Sequence, residues 1–257
     1  MRAALLTADP LAKVMATRSV ARRWRLARLQ PCSSGTCVMP DQPAWPDQPE
    51  LVAPRQLPRR GKAGSPATRI ALWHSLAHIE FVAIDLALDM AGRFGTQMGP
   101  DFTGDFLAVA ADEAMHFSLL ARKLTTLGSF YGALPAHGGL WQAACDTRHD
   151  VAARLAIVPM VLEARGLDIT PQTIRTVEAQ GDRHGVRILE RILADEIRHV
   201  RFGTLHFTDW CKTQNLVPQH EWQLLLKRHF RGALKPPFNS SARKSAGLPR
   251  SYLDGIV

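Results

Sequence analysis

At 257 residues, 46% of them hydrophobic and 21% charged, the chain has room for one sizeable core with extensions, and its apolar content is that of an ordinary soluble protein. No run approaches the roughly 18 apolar residues of a membrane-spanning helix. The four cysteines, Cys32, Cys37, Cys145 and Cys211, show no C-x-x-C spacing, so the pattern speaks against a disulfide framework and for a reduced, cytoplasmic protein. Cys32 and Cys37 read as free thiols in a loop, with a labile disulfide or half a metal site as the alternatives.

The net charge of +9 is carried by the flanks. Residues 1–65 hold 11 Lys/Arg against 4 Asp/Glu and residues 227–257 hold 7 against 1, leaving 14 against 18 between them. A basic flank can bind phosphates, which makes nucleic acid a candidate partner, but solvated charge on an extension is the commoner reading.

Taken in chain order, residues 1–30 are Arg-rich enough to resemble a targeting peptide, yet "ADPLAKV" places Asp9 as a helix cap and Pro10 at the first helical position. A short N-terminal helix is therefore expected. Residues 31–66 come next as an extended connector, with seven prolines between positions 31 and 60. From Ala67 the pattern becomes helical. One helix is predicted to Phe94, a second over about Thr103–Leu127, and a third over about Trp141–Arg165, kinked or divided by Pro159 and ended by Gly166. Thr170 and Pro171 then read as a new helix start, leading to a fourth long helix over about Asp182–Lys212. An amphipathic piece over Gln219–Phe230 precedes a polar, basic tail. No alternating strand pattern occurs, so the expected class is all-α, with a four-helix core over 67–214 and a C-terminal helix and tail over 215–257.

"ADEAMHF" begins at Ala111 and "ADEIRHV" at Ala194. Glu at i and His at i+3 share a helix face, so each motif presents a carboxylate and an imidazole together, which is half of a metal site. Glu80 lies 33 residues before Glu113, and Glu163 lies 33 residues before Glu196. The equal intervals read as two copies of one hairpin, related by a pseudo-twofold axis, that bring Glu80, Glu113, His116, Glu163, Glu196 and His199 together as ligands of two metal ions. Carboxylates with imidazole suit iron or manganese, and metal explains why a core would tolerate four Glu. Asp112 and Asp195, next to the ligating glutamates, are the expected partners of the imidazoles, Asp112 of His199 and Asp195 of His116.

The remaining candidates read more plainly. His74 and His78 are rotated from Glu80 by about −120° and 160° and are expected to bond backbone or surface groups. His137 and His149 fall in or near the crossover, and His184 either lines an entry path or is exposed. Trp73, Trp141, Trp210 and Trp222 read as core or interface aromatics. Tyr131, in a loop, is a radical candidate without support.

The set Glu80, Glu113-x-x-His116, Glu163, Glu196-x-x-His199 resembles the di-iron carboxylate proteins of the ferritin-like superfamily. "ELVAPRQLPRR", "HSLAHIEFVAIDLALD", "VAADEAMHFSLL", "LPAHGGLW", "VLEARGLDITP" and "DEIRHVRFG" are similar to an uncharacterised bacterial ferritin-like family, domain of unknown function 455, over nearly the whole chain. The resemblance implies a ferritin-like four-helix bundle with two iron ions, manganese or a mixed pair being the alternatives. It further suggests an O2-dependent oxidase or hydroxylase of unknown substrate, acting with an unknown electron donor. The tRNA hydroxylases of the superfamily are more distantly similar. The alternative is an iron-binding, ferroxidase-like or metal-stabilised protein without enzymatic activity. A homodimer and no membrane association complete the expectation.

Overall fold

The Asp9 carboxylate accepts the Ala12 N–H at 2.7 Å, and the helix it caps runs Pro10–Arg25, with the start anticipated from the sequence. The computed structural model describes residues 1–29, 38–57 and 64–256. Cys32 and Cys37 lie outside the described residues, and so do the alternatives drawn for them, along with Pro31 and Pro58. Among the described residues the protein is all-helical; Leu51 and Ala136 form an isolated bridge in place of any sheet. The chain forms two compact units, Met1–Trp141 and Gln142–Val257.

In the first unit, α1 (Arg2–Leu5) and α2 (Pro10–Arg25) pack beside a long hairpin of α3 (Pro66–Met98) and α4 (Pro100–Thr126). Ser65 and Thr68 form a capping box that starts α3. The hairpin turns on Gly99 alone, at φ 96°, a left-handed conformation that other residues resist. About that turn the register is antiparallel: the Phe81 and Phe117 rings meet at 5.2 Å, and Gly95 lies against Thr103.

α3 is long and apolar enough in composition to cross a membrane, which the sequence reading did not credit. However, 67% of that stretch is buried inside the fold, and Glu80, Asp85 and Asp89 are buried on it, so it is a core helix. Lys13 of α2 is also fully buried: its ammonium donates to Asp85 at 2.5 Å and to the carbonyls of Ala44 at 3.0 Å and Leu5 at 3.4 Å. Trp45 Nε1 donates to the other Asp85 oxygen at 2.9 Å. Burial pulls the Lys13 ammonium down and pushes the Asp85 carboxyl up to about 6, against the mutual attraction of the pair. The connector residues are thus tied to the hairpin, with further bonds from Val52 N to the Ala136 carbonyl and from Ala136 N to the Glu50 carbonyl.

In the second unit the third predicted helix is several pieces. α5 (Gly139–Asp146), which begins in the first unit, ends before α6 (Val151–Ile157), and Asp150 caps α6 by accepting from Ala152 N and Ala153 N. The break is stabilised by buried Arg154, which donates to Thr147 Oγ1 at 2.9 Å and to the Ala144 carbonyl at 2.6 Å. At Pro159 the helix is divided, as the sequence predicts. The proline sits in a π-helical turn, Val158–Glu163, that continues from α6 into α7 (Ala164–Glu178). Gly203 of α8 (Arg183–Thr213) faces the Pro159 ring, leaving no room for a β-carbon. Trp222 of α9 (Pro218–His229) donates to the Ala156 carbonyl at 3.1 Å, beside the change of helix type.

The predicted stop at Gly166 and restart at Thr170–Pro171 are also corrected, since α7 runs through both. Proline at 171 cannot donate to the carbonyl four residues back, Leu167. That carbonyl instead accepts from Asn239 Nδ2 at 3.1 Å. Asn239→Ala should therefore cost about 1–2 kcal/mol, the loss of a bond plus an exposed helix cap, read as a lower urea midpoint. The tail is not simply solvated charge. Past α10 (Ser240–Ser245), Ala246, Leu248 and Tyr252 are buried, and Arg243 forms a two-pronged ion pair with buried Asp168 at 2.8 and 2.7 Å.

Candidate metal centre

Each helix hairpin carries one copy of the predicted donor set. In the first unit, Glu80 projects from α3 and Glu113 with His116 from α4; Glu80 is 6% exposed and the other two are fully buried. His116 Nδ1 stands 3.3 Å from a Glu113 oxygen and 3.6 Å from a Glu80 oxygen. One donor atom of each lies within 4.8 Å of the others, a spacing at which a single cation can be held by all three. The sequence dictates this arrangement: the i,i+3 spacing sets Glu113 beside His116, and the turn at Gly99 brings Glu80 alongside.

Burial, and after it the neighbouring Glu113 carboxyl, pushes Glu80 up to about 8, with His116 pulling the other way. The metal-free pair therefore retains a proton at neutral pH. A divalent cation would replace that proton and remove the reason for the shift.

In the second unit, Glu196 and His199 occupy the same positions on α8, and His199 Nδ1 lies 3.5 Å from Glu196 Oε1. Both are buried, whereas Glu163, the last residue of the π turn, is half-buried. π turns recur at functional sites because they re-aim one side chain without ending the helix. Asp195 is buried and held by two arginines of its own helix, Arg191 Nε at 2.6 Å and Arg198 at 3.3 Å. The sequence reading missed both, although their i−4 and i+3 spacing in "RILADEIR" was a usable signal. Asp112 is half-buried next to Glu113.

The other histidines behave as predicted for His74 and His78. His74 Nε2 accepts from the N–H groups of Gly132, at 2.9 Å, and Leu134, at 3.4 Å. His78 Nε2 reaches the His137 carbonyl at 3.1 Å, so that nitrogen carries the proton, and Nδ1 accepts the Tyr131 hydroxyl at 3.0 Å. Tyr131 packs on Phe81 and Phe117, which neighbour Glu80 and His116 in sequence. The two imidazoles thus pin residues 131–137 to α3. Burial lowers each to about 4. Their folded values lie below the ordinary value of 6.5, so the stability they confer is complete above that pH and is lost as the pH falls through about 4. A urea midpoint that drops between pH 7 and pH 4.5, and drops less in His74→Gln, is the expected result. His149 and His184 are exposed, and Trp73, Trp141 and Trp222 are buried core residues.

A family model described as "Protein of unknown function (DUF455)" matches residues 6–254. The chain belongs to this family. An uncharacterised protein of Haemophilus influenzae is 42% identical over 219 residues, covering 83% of this chain and 76% of the relative. No solved structure matches. Membership brings no assigned reaction, which leaves the chemistry of the donor groups as the guide to function.

Proposed function

We propose that the two donor sets face each other in a ferritin-like four-helix bundle and hold two iron ions, forming an O2-dependent oxidase or hydroxylase. The observation that carries this reading is the buried Glu80, Glu113 and His116 set, repeated in type and spacing by Glu163, Glu196 and His199. The donors fit the metal: four carboxylates and two imidazoles are hard and borderline ligands suited to iron or manganese, and no cysteine among the described residues joins them. Two bound irons supply the electrons for O2 reduction.

The protein's own part is to bind, orient and shield. Four glutamates would offset the charge of the ions, and deprotonation of Glu80 would accompany loading. In this reading Asp112 fixes the His199 ring and Asp195 fixes that of His116. Arg191 and Arg198 hold the Asp195 side chain in place for that task. Phe81 and Phe117, packed on each other, would keep water from the donors of the first hairpin. The partners are O2, a small-molecule substrate and an electron donor, in the cytoplasm. Nucleic acid is the weaker case, because Lys13 and Arg243 of the basic flanks are already committed to buried pairs.

Metal content of the protein purified from its native host, with Mössbauer spectra of the reduced form before and after O2, tests the reading. Two irons per chain, oxidised rapidly and together, support it. Zinc, or a single redox-silent ion, overturns it.

A further inference from the structure

The second unit carries a cleft of about 130 Å³, open to solvent, with a chemistry unlike that of the metal donors. Its walls are apolar, formed by Val161 and Leu162 of the π turn and by Phe230 and Phe238 of the loop after α9, while Arg165 and Lys235 supply its cations.

The charge balance of the cleft is set by which groups are already paired. Asp168 is its one acid, and it is fully buried and neutralised by the two-pronged contact from Arg243. Arg165 Nη1 donates to the carbonyls of Lys235 at 2.6 Å and Pro237 at 3.1 Å, which fixes the loop, and lies 3.6 Å from Asp168 Oδ2, so two guanidinium groups, Arg165 and Arg243, share that one carboxylate and the cleft keeps a net positive charge. The Nε and Nη2 of Arg165 donate to no protein acceptor among the described residues, and the Lys235 ammonium has no partner there either. A fixed guanidinium with spare donors, a nearby ammonium and an aromatic wall together define one ligand chemistry.

We infer that this cleft binds a small amphipathic anion, its carboxylate or phosphate on Arg165 and Lys235 and its apolar body between Phe230, Phe238 and the π turn. The inference goes beyond the metal reading and does not depend on it, since none of the cleft residues is a metal donor. A ligand seated there would touch Val161 and Leu162, immediately before Glu163, so its body would lie along the turn that ends in a candidate metal ligand.

Isothermal titration calorimetry of the full chain with decanoate, decyl phosphate and decanol provides the test, run with and without EDTA so that metal occupancy is controlled. At least one of the two anions should bind one to one, about ten-fold or more tighter than decanol, in both conditions. Lys235→Gln, which breaks no side-chain bond among the described residues, and Arg165→Gln should each weaken the anion about ten-fold. Lys212→Gln, a surface lysine outside the cleft, should change nothing. Decanol binding as tightly as the anions, no binding of either anion, or full affinity retained in Lys235→Gln and Arg165→Gln would each overturn the assignment.

Discussion

On the proposed two-metal reading, replacing Glu113 and Glu196 together by Ala should take bound metal to a small fraction of one ion per chain, with the helical circular dichroism preserved. A carboxylate that ligates the ions directly is worth more than a side chain that only orients a ligand, and loss of the latter alone weakens metal binding about 10–100-fold. The folded state does not need these charges without metal. In the metal-free protein Glu80 is buried with a carboxyl raised to about 8 from an ordinary 4.5. The folded form therefore holds a proton that the unfolded form has released, and stability falls as pH rises across that interval. Glu80→Gln should consequently stabilise the metal-free protein at pH 8, by about 2–4 kcal/mol, while weakening the metal-loaded one. Opposite signs in the two states, read from urea melts with and without EDTA, mark a ligand. The same sign in both would mean that Glu80 is a structural group, and unchanged metal in the Glu113/Glu196 variant would remove the assignment altogether.

The buried group of Glu80, Glu113 and His116 was legible because its signal is local. Glu-x-x-His fixes a shared face within one helix, and in the first unit the turn at Gly99 brings Glu80, 33 residues earlier, alongside. The features that were not legible depended on residues far along the chain. Pro171 reads as a helix boundary until Asn239, 68 positions later, supplies the hydrogen bond to Leu167 that proline cannot. Pro159 reads as a kink or a division, and the helix does divide there, but the π form of the division depends on Gly203, which makes room for the ring. That turn shifts each later residue by about 100° relative to an unbroken α-helix, so a periodicity count carried through 158–163 misplaces the rest of α7. The basic flanks misled for the same reason: Arg243 meets Asp168 across 75 positions, and Lys13 meets Asp85 across 72. Charge counted along a sequence cannot distinguish a solvated cation from one enclosed by its partner.

The Lys13–Asp85 pair carries the largest stability effect expected in the first unit. Both side chains are fully buried, and the ammonium also sits 5.0 Å from the Phe81 ring, whose neighbour is Glu80. Lys13→Met leaves Asp85 with the Trp45 indole as its hydrogen-bond donor and should cost about 3–5 kcal/mol, the usual penalty for orphaning one member of a buried pair. The pH dependence discriminates this cause from lost packing. A lone Asp85 can take up a proton at pH 5 and relieve the penalty, whereas at pH 8 the same site must hold an ion or unfold, so the destabilisation should grow with pH. Lys13→Met with Asp85→Asn should recover a large part of the loss, because no buried charge then remains. From sequence alone, removal of residues 1–30 is expected to leave the metal centre occupied. With Lys13 buried against α3, the truncation becomes a version of Lys13→Met that also removes the buried side chains of Leu5 and Val14, and metal should be lost along with stability. Metal retained at full stoichiometry after truncation would show that the α3–α4 hairpin holds its donors without α2, and that the buried pair serves the N-terminal helix rather than the centre.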